Sequence, residues 1–370
     1  MQIHPVESKD DLRQFIELPY QLYKNDPVWV PPLRSEQWSQ FDAKRNPMLD
    51  HCTYKLFLAR EDGRVFGRIS AFTDRLALEH WKEPIGLFGS YECIENEQAS
   101  HLLLETARNW LHQQGMKTMR GPWSFASQEW GLVVEGYTPS PVILAPYNPP
   151  YYNGHLTAFG LQKVKDLIVY IADYKDGYRF PERYLLYTDK IQKRYGITIR
   201  PVNMKRLEED VLTIVNLANQ TINDNWGFYP VTPDEGRSMA HDLKDIINPK
   251  AVLIAEDPDG RPIGFAMSLP DVNVILKGLN GSLLPFGWIK LLWGLPRLRQ
   301  YRMWALGVLS EYHGKGVDTL LYRSTYENLF LGKIRMEVNY VLEDNTRMNN
   351  ALLKLGVNPL RRYRVYQMDI

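Results

Sequence analysis

Apolar and polar residues run through the same succession of patterns twice along the chain. The apolar-rich runs Lys55–Ala59 and Val65–Phe72 are separated by Glu61-Asp62-Gly63, and Val252–Ala255 and Ile263–Leu269 by Asp257-Pro258-Asp259-Gly260. Asp-Gly between two short apolar runs predicts a β-hairpin, because both residues tolerate the left-handed backbone of a tight turn. A buried strand follows in each case, Ile85–Ile94 and then Met303–Leu309, and each leads into the helical spacing of Ala99–Gln113 and Thr319–Phe330. The chain closes with a strand at Ile334–Val341, a helix ending at Gly356, and the alternating stretch Arg362-Tyr363-Arg364-Val365-Tyr366.

The two successions are copies. Ile3-x-Pro5-Val6 recurs as Ile199-x-Pro201-Val202, an offset of 201 − 5 = 196. Trp29 is echoed by Trp226 and Gly63-Arg64-x-x-Gly67 by Gly260-Arg261-x-x-Gly264, both at 197 (226 − 29 and 260 − 63). Asn153-x-x-Leu156-x-x-x-Gly160 returns as Asn349-x-x-Leu352-x-x-x-Gly356, at 356 − 160 = 196. Four matches in order at nearly one offset predict two repeats of one fold.

Composition narrows the function classes. Lys plus Arg number 44 and Asp plus Glu 43, so no global field points to nucleic acid or an anionic membrane. Cys52 and Cys93 lack metal-ligand spacing and the eight histidines are scattered, so neither a metal site nor a disulfide framework is expected. The first ten residues lack the charged start and apolar core of a signal peptide, and Leu283–Leu295 is shorter than the roughly 20 residues of a membrane span. A cytoplasmic protein without stable membrane insertion is the expectation.

Candidate chemistry centres on Glu311-Tyr312-His313-Gly314-Lys315-Gly316-Val317-Asp318, between the strand Met303–Leu309 and the helix that follows. Glycine turns of this kind open a helix whose first N–H groups have no intrahelical partner, and with the helix dipole they favour phosphate; Lys315 adds a charge of the right sign. The spacing is neither a P-loop nor a dinucleotide fingerprint. It resembles the coenzyme A loop of the GNAT superfamily of N-acetyltransferases, Q/R-x-x-G-x-G/A, falling on His313 to Asp318. The central glycine matches, His313 stands for Gln or Arg, and Asp318 for the last small residue. Downstream, Glu343-Asp344-Asn345, the short helix and Gly356 are similar to the GNAT ending, with Leu352 where many members carry a tyrosine acid. Gly121-Pro122-Trp123 and Asn148-Pro149-Pro150-Tyr151-Tyr152 resemble bacterial tandem-GNAT proteins in particular.

The resemblance implies an α/β protein of two tandem GNAT-like lobes, each a mostly antiparallel mixed sheet flanked by helices. The lobes are expected at 1–172 and 198–370, joined by a linker helix at 173–197 that packs on a lobe. It further implies acyl-CoA, most simply acetyl-CoA, in the C-terminal lobe. Backbone groups of Gly307 and Val308 would pair with the pantetheine arm, and N–H groups of Gly314, Lys315, Gly316, Val317 and Asp318 would meet the pyrophosphate. His313 is either a neighbour of the phosphates or an exposed loop histidine. Asn345 either reaches the pantetheine or caps its helix. Glu337 and Tyr340 are the candidate base and acid, each with a structural reading beside it. In the first copy, Glu95-Asn96-Glu97-Gln98 sets two carboxylates where the pyrophosphate would lie, so that lobe is expected not to bind CoA.

The activity so implied is N-acyl transfer, with an amine-bearing small molecule or peptide as acceptor and no nucleic acid. The rivals are a non-catalytic acyl-CoA-binding protein, consistent with Leu352 and Asp318, and a two-lobe transferase using aminoacyl-tRNA, which a neutral net charge disfavours. Two inserted segments remain. Gly121–Pro150, carrying Trp123, Phe125, Trp130, Tyr137 and Tyr147, either walls an acceptor site or packs on its own lobe. Leu283–Trp293 is expected to bury against its own lobe, the other uses being an acyl chain, a membrane surface or a dimer contact.

Overall fold

The computed structural model describes residues 1–124, 130–330 and 333–370, so Phe125 of the aromatic segment and Gly332 lie outside the described residues. The chain forms two compact units, one of Met1–Leu167, Leu276–Gly287 and Arg361–Ile370, the other of Ile168–Ile275 and Trp288–Leu360. Among the described residues no helix is long and apolar enough to cross a membrane.

In sequence order the first strands are β1 (Gln2–Pro5), β2 (Cys52–Glu61), β3 (Arg64–Asp74), β4 (Ile85–Cys93), β5 (Thr118–Gly121) and β6 (Leu132–Glu135). Those that follow are β7 (Gln162–Asp173), β8 (Thr198–Pro201), β9 (Val252–Glu256), β10 (Pro262–Pro270), β11 (Gln300–Val308), β12 (Arg335–Leu342) and β13 (Asn358–Asp369). The predicted hairpins are β2–β3 and β9–β10, each antiparallel, with Gly63 and Gly260 in the left-handed region their turns require.

In the first unit β1, β2, β3 and β4 pair antiparallel in that order, β4 pairs parallel with β5, and the end of β13 pairs with β5 and β6. Helix Glu97–Gln113 covers this sheet with Ala99, Leu103, Leu104, Ala107 and Leu111, all fully buried at helical spacing. Asn96 starts it by accepting the Ala99 N–H at 2.8 Å, the role its residue type favours. Each buried leucine contributes roughly 1.5–3 kcal/mol of transfer free energy, so this one helix face holds much of the unit together. The aromatic segment, where described, packs within this unit. Trp123 is buried and stacks on Trp130 with centroids 4.3 Å apart, and its N–H donates to the Phe88 carbonyl.

The second unit repeats the plan. β8, β9, β10 and β11 pair antiparallel and β11 pairs parallel with β12. Helix Leu207–Thr221 brings Val211, Ile214, Val215 and Leu217 to the interior, and helix Val317–Thr325 brings Leu320 and Leu321. The linker is a helix, Glu182–Tyr195, and it packs on helix Val317–Thr325 through Ile191 and through Thr188, whose hydroxyl accepts from Arg323 at 2.8 Å.

One expectation is overturned. Leu283–Trp293 does not bury against its own lobe: Leu284 is 78 % exposed, Phe286 68 %, Leu292 60 % and Trp293 70 %. Hydrophobicity predicts a buried face, but the helix Gly287–Gly294 is a single short element with apolar residues all round, and it has more such surface than its neighbours cover.

Candidate functional site

The site is built where β11 leaves its partners. Pairing between β11 and β12 runs from Gln300 opposite Arg335 to Met303 opposite Val338, whereas pairing between β11 and β10 continues to Val308. The two parallel strands therefore part beyond Met303. At the same level Met267 faces Ala305 while Ser268 faces Met303, so Trp304 is an extra residue that bulges and twists β11. Leu309 donates its N–H to Ile263, and by the alternation of an antiparallel ladder the polar groups of Gly307 then face β10 while those of Val308 face the open edge. A side chain on Gly307 has no room: a Cβ there would lie 2.1 Å from Thr221 Oγ1.

After β11 the chain makes one tight turn, Ser310–Tyr312, and passes through Gly314 and Gly316, both left-handed at φ 77° and 76°, into helix Val317–Thr325. The first intrahelical bond is Leu320 N–H to Gly316, so the donors of Val317, Asp318 and Thr319 open the helix without partners of that kind. Thr319 N–H is met by the Asp318 carboxylate at 2.8 Å, which folds back onto its own helix end. The Tyr312 hydroxyl donates to Asp257 in the β9–β10 turn at 3.0 Å and fixes the loop from behind. Lys315 lies over the Tyr312 ring, its ammonium 4.3 Å from the centroid. Exposed His313 turns Nε2 to the Val308 carbonyl at 2.9 Å, occupying the open-edge acceptor nearest the loop. Asn345 accepts the Met348 N–H at 3.0 Å and so caps the last helix. Leu352 is a core residue, 1 % exposed.

A residue that sequence reading passed over stands beside each of the candidate base and acid. Arg302 is fully buried, directly opposite Glu337 in the β11–β12 register, with its guanidinium 5.1 Å from the centre of the Tyr340 ring. Glu337, also buried, accepts from Arg335 at 3.3 Å. A charged residue inside the apolar run Tyr301-Arg302-Met303 was the available signal, since arginine is almost never fully buried without paired groups. Both ends of the buried Asn339 amide in β12, the Ser268 hydroxyl in β10 and the Thr221 hydroxyl at the end of helix Leu207–Thr221 are buried without a hydrogen-bond partner. Such atoms are rare in native structures and have hydrogen-bonding capacity left for a water or a ligand. These orphaned groups, the left-handed glycines and the parted strands together fit a ligand with an extended polar arm and an anionic end. A cleft of about 520 Å³, lined in part by Thr213, Leu217, Gln220, Arg261 and Leu309, opens beside the end of β11.

The equivalent place in the first unit is filled. Gly67 pairs with Cys93 as Gly264 pairs with Val308, so Cys93 is the counterpart of Val308. Its N–H donates to the Tyr152 hydroxyl at 2.8 Å and its carbonyl accepts from Tyr151 at 2.8 Å. Tyr152 in turn donates to Glu92 at 2.8 Å, within a buried set that includes Tyr23 and Arg68. Side chains of this lobe thus satisfy the strand edge that a ligand would use. Contrary to what spacing implies, Cys52 and His51 do meet a carboxylate, Asp74, at 3.6 and 2.9 Å. Asp74 also caps helix Arg75–Trp81 through Leu76 and Ala77, and burial pushes the Cys52 thiol up to about 11, so the three form a capping network.

No protein-family model matches the chain. It is 35 % identical to protein YghO of Escherichia coli (strain K12) over 98 % of this chain and 94 % of that one. It is 32 % identical to the bacterial ceramide synthase of Caulobacter vibrioides over 99 % and 97 %. Among solved structures it is similar to a tandem GNAT protein from the clavulanic acid biosynthesis pathway, with a TM-score of 0.59 and 13 % identity over 100 % of this chain and 98 % of that one. A GCN5-related N-acetyltransferase from Sphaerobacter thermophilus gives a TM-score of 0.54 at 13 % identity over 99 % and 95 %. The chain therefore belongs to one family with protein YghO and the bacterial ceramide synthase, and its repeat and parted parallel strands have the fold of tandem GNAT proteins.

Proposed function

We propose that this protein is an N-acyltransferase that moves an acyl group from acyl-CoA to the amine of a long-chain amino alcohol. The observation that carries the reading is the parting of β11 and β12 beyond Met303 and Val338, next to a loop with two left-handed glycines and a helix N-terminus. In this reading the N–H groups of Gly314, Gly316, Val317 and Asp318 receive the pyrophosphate, that of Lys315 being bonded to Tyr312 at 3.2 Å. The Val308 N–H, with its carbonyl once His313 turns away, receives the pantetheine arm. The acceptor class is supported by the name of the Caulobacter relative, since a ceramide is by definition an N-acylated long-chain amino alcohol.

The reaction forms a C–N bond and breaks the thioester C–S bond. The amine nitrogen attacks the carbonyl carbon, its proton passes to Glu337, and the departing sulfur is protonated from Tyr340 or leaves as thiolate, which a thiol of ordinary pKa near 8.5 permits. Arg302 stands opposite Glu337 in the strand register and over the Tyr340 ring, where its charge would act on both. The test is thiol release by purified protein with acetyl-CoA or palmitoyl-CoA and a panel of amines that includes sphinganine, with the N-acyl product identified by mass. Release that requires both substrates and is greatest with the long-chain amine is expected. CoA binding by calorimetry without turnover of any amine would favour the non-catalytic reading, and no CoA binding would overturn both.

A further inference from the structure

The chain carries one segment whose surface is unlike the rest. Between Val272 and Gln300 stand Lys277, Lys290, Arg297 and Arg299 and no Asp or Glu, whereas the rest of the chain has 44 − 4 = 40 Lys plus Arg against 43 Asp plus Glu, a net of −3. Within the second unit, Val274, Trp288, Leu292 and Trp293 are each between 48 and 70 % exposed. The helix Gly287–Gly294 is fixed rather than frayed. Gly294 fits so closely on Ile275 that a Cβ would lie 2.6 Å from it, and Arg297 closes the helix end by donating to the Trp293 carbonyl at 2.6 Å. Water is a poor neighbour for two indoles, a leucine and a valine held out in this way.

We propose that this segment docks the protein on the surface of an anionic phospholipid bilayer. Tryptophan side chains favour the boundary between headgroups and acyl chains, and a short apolar helix with flanking lysine and arginine lies in that boundary rather than crossing it. Charge decides between the possible occupants. A second copy of this chain related by two-fold symmetry would set Lys290, Arg297 and Arg299 against the same three cations, whereas phosphatidylglycerol answers each of them. The docking goes beyond the acyl-transfer reading and stands if that reading fails.

The experiment is sedimentation of the full chain with sucrose-loaded vesicles of phosphatidylethanolamine and phosphatidylglycerol, against phosphatidylcholine alone, with brominated lipid as a quencher of tryptophan fluorescence. Binding to the anionic vesicles, weakened at least tenfold by Leu292→Ser with Trp293→Ser and several-fold by Lys290→Glu or by high salt, is expected. Brominated lipid should quench the wild type more than the serine variant. These side chains are exposed, so an unchanged melting temperature keeps folding out of the comparison. The proposal is overturned by absence of binding to anionic vesicles, by equal binding of the serine variant, or by a wild-type dimer that the same variant converts to monomer without any vesicle effect.

Discussion

Gly316 rests against Ile191. A Cβ built on this glycine would come within 2.3 Å of the Ile191 Cδ1, so the linker helix Glu182–Tyr195 closes over the back of the glycine loop. Gly314, one residue away on the other side of Lys315, has nothing within 4 Å of its own virtual Cβ. Both are left-handed, so alanine at either position carries a backbone cost of roughly 1–2 kcal/mol. Only at 316 is a steric clash of roughly 1–3 kcal/mol added. Gly316→Ala should therefore lower the melting temperature clearly more than Gly314→Ala. Differential scanning calorimetry of the two variants decides it, and equal shifts would mean that the helix does not press on the loop. Gly314→Ala is accordingly the cleaner probe of CoA binding.

How much of this was legible in the sequence depends on range. The hairpins, the strand before the loop and the helix after it follow from local period and turn chemistry, and Asp62-Gly63 and Gly314-x-Gly316 turn where their residue types allow. Contacts made across the chain are another matter. Nothing near Gly316 announces Ile191, nothing near Val308 announces that His313 will bond its carbonyl, and Arg302 looks like the end of a strand until the structure shows it fully buried against Tyr340. The repeat could not tell that Arg361–Ile370 joins the first unit, because a strand's alternation is the same whichever edge it pairs with. Hydrophobicity misled at Leu283–Trp293 because it measures preference for burial, and a preference finds no place when the neighbouring surface is already covered.

Cys93 supplies a test of lobe specialisation. Its N–H and carbonyl are taken by Tyr152 and Tyr151, so titration calorimetry of the wild type with CoA should give one site per chain. Tyr152→Phe removes a buried hydroxyl that serves both Cys93 and Glu92, and should cost about 1–3 kcal/mol in denaturant unfolding without creating a second site. A stoichiometry of two in either protein would contradict the assignment.

Arg302 and Glu337 separate chemistry from scaffolding. Glu337→Gln keeps the shape and the contact with Arg335, so CoA affinity should hold while kcat falls by about 10²–10⁴-fold, the usual worth of a general base. Arg302→Met removes the buried cation opposite Glu337, whose carboxylate keeps Arg335, and should cost less than the about 3–5 kcal/mol of a buried charge left unpaired. If Glu337→Gln instead unfolds the protein and leaves the kcat of the folded fraction intact, the carboxylate is structural.

His155 gives the pH dependence its sign. Burial, opposed in part by Glu97 and Glu95, holds its imidazole below the ordinary value of 6.5, and the Tyr91 hydroxyl lies 3.0 Å from Nδ1. The folded state therefore resists a proton that the unfolded state accepts. Below pH 6.5 the unfolded chain binds more protons at this position, so the stabilisation present above that pH declines as the pH falls through the folded value. Urea midpoints measured from pH 7.5 to 5 should drop most steeply below 6.5, and His155→Gln, which cannot take up a proton, should flatten that drop. A variant with an unchanged slope would place the acid sensitivity elsewhere, among carboxylates such as Asp166, which Arg364 and Lys163 hold below the usual carboxylate range against the opposing effect of burial.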